Sequence, residues 1–296
     1  MARLRILTVV DGIKAFADFM HHGLGLQSAW TTRDGPLAAE YYAFASGDLL
    51  VVEPRERDNP VAGFLEKKGP GIIAFGLADG SLADGTAAHA TALCGTGPLS
   101  VLGLVEIRTV GIALLVGNIS ALESGVRERS LILDHAAYVV ADLDEAVTAL
   151  KLRLGIEESS ILGRWRFPEF NATNAVLLFD RAYIELNQAW SNRGLFGAHF
   201  AKRKAGGMFI CLRSKTLPTT LARLDSYGVQ VGEAKEINAL APGQSTPIRL
   251  GTVHSLPRDA TQNLNLLLFD TSWPWGILKR QAPGTDPLDQ TNASIY

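Results

Sequence analysis

Residues 131–157 read LILDHAAYVVADLDEAVTALKLRLGIE, and the order of elements in this stretch decides the fold. An apolar run, LILDHAAYVV, reads as a strand. Asp142 follows as an N-cap, and Ala146, Leu150 and Leu154 recur at the spacing that lines one side of a helix. Gly155 ends the helix, because glycine accepts the left-handed conformation of a helix stop. A second strand is expected after it.

The same order recurs along the chain. Residues 4–27, LRILTVVDGIKAFADFMHHGLGLQ, carry a strand, Asp11, a helix with Phe16, Phe19 and Met20, and then Leu24-Gly25. Residues 206–231, GGMFICLRSKTLPTTLARLDSYGVQV, give another copy ending at Gly228, and residues 71–95, GIIAFGLADGSLADGTAAHATALCG, a weaker one near Gly95. Each start is followed by a stretch rich in β-branched and aromatic residues with turn formers, such as YYAFASGDLLVVEP or TNAVLLFDRAYIELNQ, which reads as a strand meander. NATNAVLLFD and DATQNLNLLLFD nearly repeat one another, pairing the third and fourth units. The polar run NISALESGVRERS at 118–130 separates two halves. The expected division is 1–120, 131–280 and an irregular Pro/Gly-rich tail at 281–296.

With 296 residues, 47% of them hydrophobic and 20% charged, the chain can build two ordinary cores. A formal charge of -2 offers no basic excess for neutralising phosphates, so nucleic acid is not an expected partner. No window approaches the roughly 20 apolar residues that span a bilayer. The N-terminal apolar run is broken at Asp11, unlike a signal peptide, and a cytoplasmic protein is expected. Cys94 and Cys211 lie far apart without CxxC spacing and read as buried free thiols. No phosphate-binding glycine loop or GxSxG elbow is present.

A strand carrying Asp134-His135, a DLDEA helix start and an LG helix end, with AYIEL at 182–186 as a last strand, resembles the vicinal oxygen chelate superfamily of glyoxalases, bleomycin resistance proteins and type I extradiol dioxygenases. The resemblance is closest over roughly 130–190. It implies an α+β fold of four βαβββ modules paired into two domains, each an open cup of curled mixed sheet with helices outside. It further implies that the N-terminal pair is structural and that the C-terminal cup holds a divalent metal (iron, zinc, manganese or nickel) on His135 and Glu185. Oxygens of a small-molecule substrate would complete the coordination, and a homodimer is compatible with such cups.

The repeats also show where this chain departs from the family. An offset of 73 from Gly155 to Gly228 puts Met208 at the His135 position of the fourth module, and matching Phe179-Asp180 to Phe269-Asp270 puts Trp275 at the Glu185 position. Neither is a good ligand for a hard divalent ion. His254, before the last strand, and His199, between the third and fourth modules, are candidate replacements. Arg166, within the segment GRWRFPEF, is a candidate clamp for a substrate carboxylate. Asn174, Asn187 and Asn265 are candidate cup-lining donors. His21, His22 and His89 read as surface or packing residues.

Two functions remain open on the sequence. One is a metal-dependent enzyme, glyoxalase-like or dioxygenase-like, acting on a small aromatic or vicinal-oxygen metabolite. The other is a metal-free cup that sequesters such a compound, with Met208 and Trp275 filling the metal's place.

Overall fold

The anticipated helix signals of the third module are realised atom by atom. Asp142 adopts an extended conformation and its side chain accepts a hydrogen bond from Glu145 N at 2.9 Å. The helix α3 runs Leu143–Leu154, burying Leu143, Ala146, Val147, Leu150 and Leu154, and Gly155 closes it at φ 63°. In the first module the cap position is Gly12, without a side-chain bond. Its α1 (Ile13–Asp18) passes into a π-helical turn, Phe19–Gly23.

The computed structural model describes residues 3–83, 90–93, 95, 97–117 and 130–270. They form two eight-stranded sheets of the same topology. The first comprises β1 (Leu4–Val9), β2 (Trp30–Thr32), β3 (Leu37–Ala43), β4 (Gly47–Pro54), β5 (Gly71–Leu77), β6 (Thr91–Ala92), β7 (Gly103–Ile107) and β8 (Ile112–Val116). The second comprises β9 (Leu131–Val140), β10 (Ile161–Phe167), β11 (Ala172–Leu178), β12 (Tyr183–Ala189), β13 (Gly206–Ser214), β14 (Lys235–Ala239), β15 (Ile248–Ser255) and β16 (Leu266–Phe269). Spatial order in the second sheet is β10-β11-β12-β9-β13-β16-β15-β14. Each module therefore contributes four strands, its first and last parallel, and the two first strands meet antiparallel at the centre.

Alternation on these strands builds two faces. Leu131, Leu133, Ala136 and Tyr138 of β9 join a core that runs continuously into Leu4, Ile6 and Phe75 of the first half. Ala137 and Val139 face the other way, into the cup, with Val176, Phe209 and Phe269. The halves approach closely: a Cβ on Gly207 would lie 2.4 Å from Ile72 Cβ, so only glycine fits there, and Ser46 Oγ donates to Leu133 O at 2.7 Å.

Three further helices complete the fold: α2 (Pro60–Lys68), α4 (Gly194–Arg203) and α5 (Leu217–Ser226). The stretch around His199, read from sequence as a linker, is helix α4, and it lies against β9 and β12 with Phe196 packed into the cup-facing cluster. One helix thus lies over the cup, while α3 packs on the opposite face.

Candidate functional site

The C-terminal cup encloses a cavity of about 490 Å³ whose wall includes His135, Glu185, Met208, Phe209, Cys211 and Phe269. How His135 arrives there depends on a break in the sheet. The ladder between β9 and β13 pairs His135 with Cys211 but Leu133 with Leu212, so Asp134 is an extra, bulged residue. The bulge turns Asp134 inward beside His135, and Asp134 Oδ2 lies 2.9 Å from His135 Nδ1. Arg213 Nε sits 3.4 Å from Asp134 Oδ1, and both residues are shut off from solvent.

The other ring nitrogen looks across the cup. His135 Nε2 is 4.0 Å from Glu185 Oε2, beyond hydrogen-bonding range. Glu185 Oε1 accepts from Asn174 Nδ2 at 2.5 Å. Each side chain is thus held by one edge and presents the other. The imidazole stacks on Tyr183, with centroids 4.4 Å apart and planes at 18°, and meets Phe209 and Phe269 edge-on at 5.9 and 6.1 Å. Burial, then Asp134 and Glu185, push the Tyr183 phenol and the Cys211 thiol well above their ordinary pKa values, so both keep their protons at neutral pH. Cys211 is the buried free thiol expected from sequence; Cys94 lies outside the described residues.

The pseudo-two-fold relation of β9 and β13 corrects two correspondences. His135 pairs with Cys211 and Ala137 with Phe209, an offset of 74 that superposes His135 on Phe209. Asp134 falls on Met208, which is likewise bulged. Glu185 pairs with Ala137 and Leu267 with Cys211, so Leu267 stands where Glu185 stands in the third module. Trp275, assigned there from sequence, lies outside the described residues, as do His89 and the tail. In the N-terminal half, helix starts Ile13 and Leu143 align Arg5 with His135, and Arg5 forms a buried pair with Asp48.

Other candidates fall elsewhere. His254 alternates with Val253 and Ser255, which line the cavity, and is therefore turned away from it, with Nδ1 3.4 Å from Gly232 O. Arg166 is exposed on the outer side of β10, its guanidinium 5.0 Å over Trp190, while its neighbour Phe167 takes the cavity wall. Asn174 and Asn187 are fully buried behind the wall, Asn174 holding Glu185 and Asn187 Nδ2 reaching Tyr138 O at 3.5 Å. Asn265 does line the cavity and donates to Met208 O at 3.0 Å. The cavity's cations are Lys202, Arg203, Lys235 and Arg258, with His199 beside them. Sequence reasoning passed over these four, although Lys202 and Arg203 stand in a visible KRK run.

The fit of a divalent metal can be judged on these atoms. Among the described residues no three His, Cys, Asp or Glu side chains converge on one point. The site offers two donors, His135 Nε2 and Glu185 Oε2, and both carry the supporting hydrogen bonds that metal-binding imidazoles and carboxylates characteristically have. The residues fit an ion that draws its remaining ligands from substrate and water.

Two curled eight-stranded sheets built from paired βαβββ modules, with a cup enclosing a histidine and a glutamate, define a two-domain protein of the vicinal oxygen chelate fold. Residues 134–246 match the model of the glyoxalase/bleomycin resistance protein/dioxygenase superfamily. No curated protein matches the chain. Among solved structures, a mutant 4-hydroxymandelate synthase from Streptomyces coelicolor aligns over 90% of this chain and 91% of its own, with TM-score 0.63 and 11% identity. A hypothetical protein from Bacillus halodurans covers 48% of this chain and 96% of its own at 19% identity and TM-score 0.40. Methylmalonyl-CoA epimerase from Mycobacterium tuberculosis covers 49% and 91% at 19% identity and TM-score 0.40. No helix among the described residues is long and apolar enough to cross a membrane.

Proposed function

We propose that the protein is a divalent-metal-assisted enzyme of this superfamily that acts on a small aromatic or vicinal-oxygen metabolite in the C-terminal cup, with His135 and Glu185 as its working pair. The observation that carries this reading is the one-edged hold on each side chain: Asp134 occupies His135 Nδ1 and Asn174 occupies Glu185 Oε1, leaving Nε2 and Oε2 4.0 Å apart. An ion bound there supplies Lewis-acid polarisation of substrate oxygens.

The chain's own residues do the rest. Asp134 fixes the ring tautomer with the proton on Nδ1, so that Nε2 carries the lone pair. Tyr183, Phe209 and Phe269 wall the imidazole against water, and low polarity around a reacting centre strengthens every electrostatic contact made there. Helix α4 closes one side with Phe196.

Elemental analysis of tag-free protein, after reconstitution with iron, zinc, manganese or nickel, tests the reading. Near-stoichiometric metal that is lost in both His135→Ala and Glu185→Ala supports it. Absence of metal after reconstitution sinks it and leaves sequestration of a ligand as the function of the cup.

A further inference from the structure

At the rim of the cup four basic side chains crowd together from three parts of the chain. His199 and Arg203 stand one turn apart on α4 and line both the cup cavity and a second cavity of about 720 Å³ along the seam between the halves. Arg258 belongs to the first cavity and Lys68, from the end of α2, to the second. Lys68 Nζ donates to Arg203 O, and Arg203 Nη1 to Pro70 O at 3.2 Å, so backbone contacts pin the pair in place. Arg203 and Arg258 repel one another, Lys68 feels Arg203, and His199 is opposed by all three, each effect second to burial.

Among the described residues none of Lys68, Arg203 and Arg258 has a carboxylate within ion-pair range, although exposed cations elsewhere, such as Lys151 and Arg249, have theirs. Gathering like charges at a cavity rim raises the free energy of the empty protein and focuses a positive potential into the opening. An anion settling there gains on both counts. The guanidinium groups add fork geometry suited to two oxygens of one group.

We propose that Lys68, His199, Arg203 and Arg258 form an oxyanion subsite at the junction of the two cavities, which holds a carboxylate or phosphate of the ligand while its apolar body fills the cup. This rests on the reading of the cup as a small-molecule site and narrows the ligand to an acid. Phe167, Phe170, Phe196, Phe209 and Phe269 make the wall between the rim and His135 aromatic, so the body that fits is an aryl or branched apolar one.

Calorimetric titration of the full chain with phenyl phosphate, phenylacetate and benzyl alcohol tests the subsite, because the three share an aryl body and differ in charge. At least one anion is expected to bind about tenfold or more tighter than the alcohol, and which anion does so separates phosphate from carboxylate. Arg258→Ala, whose side chain makes no hydrogen bond among the described residues, is expected to remove most of that preference. Arg203→Ala, which also loses the tie to Pro70, serves as the second variant. Equal binding of all three compounds, binding of none, or a preference unchanged in Arg258→Ala overturns the proposal. Manganese titration of the same proteins separates the two readings: an acid preference without metal binding leaves the subsite standing and removes the metal, whereas metal binding without the preference does the reverse.

Discussion

Asp134 and His135 are neighbours in sequence whose side chains meet, Oδ2 of the first lying 2.9 Å from Nδ1 of the second. A regular strand sends consecutive side chains to opposite faces. The bulge in β9 is what allows a carboxylate to orient the imidazole beside it while its other oxygen meets Arg213.

Asp134→Ala takes a carboxylate away from the buried Arg213 guanidinium, and breaking a buried pair from one side costs on the order of 3–5 kcal/mol. Urea unfolding is expected to show that loss. Arg213→Met, which removes the other charge, placed on the Asp134→Ala background is expected to recover part of it. Equal stability of Asp134→Ala and wild type would exclude the buried pair.

Asn174 holds Glu185 from behind the wall. Asn174→Leu is expected to weaken manganese or zinc binding by roughly 10–100-fold, the usual effect of losing a hydrogen bond to a metal-binding carboxylate. The overall fold, read by circular dichroism, should persist. An unchanged metal isotherm would place Glu185 outside the metal's reach.

Phe209 occupies the position related to His135 by the pseudo-two-fold of β9 and β13. Phe209→His offers a third donor toward the same point, and nickel or zinc affinity is expected to rise by on the order of tenfold or more. Met208→His, one residue away at the bulge, serves as the control and should gain less. A larger gain at Met208 would restore the sequence-based offset.

His199 has a folded pKa lowered to about 4, by burial first and then by Arg203, Lys68 and Arg258. An unfolded histidine titrates near 6.5. Between these values the unfolded chain binds a proton that the folded protein refuses, so stability falls as pH drops through that window and His199 contributes nothing to the slope above it. His199→Gln is expected to flatten the urea midpoint between pH 6.5 and 4.5 relative to wild type. Parallel curves for the two proteins would show that the histidine titrates normally.

Phe75 of the first half meets Tyr138 at 5.1 Å and Phe179 at 6.4 Å in the second. Because one apolar core runs through both halves, wild type is expected to unfold in a single transition. Phe75→Ala should cost about 3–5 kcal/mol and split the calorimetric trace into two. A single, merely shifted transition would place the coupling elsewhere on the seam.

Much of the fold is legible in residues 131–157, since helix capping, apolar periodicity and a glycine stop are local chemistry that operates within a few residues. Asp142, the α3 stripe and Gly155 behave as that chemistry dictates. His135 and Glu185 are named on other grounds, as the positions where the resembled family carries its ligands on the first and last strands of a module. Arg166 shows where the reading thins: one residue decides whether an alternating strand sends an arginine into the cup or out to Trp190.

Local patterning by itself determined the module and its repetition, while the resemblance to a known family pointed to His135 and Glu185. Only the tertiary structure decided which residues share the cup. The pairing of β9 with β13 set the offset at 74, where the glycines that follow α3 and α5 stand only 73 apart, so that Phe209 and not Met208 answers to His135. A bulge turned Asp134 onto His135, and the packing of α4 brought Arg203 to within reach of Lys68 and Arg258. Bulge positions and helix docking are set by pairing and packing between segments tens to hundreds of residues apart, and a sequence pattern a few residues long carries no record of them.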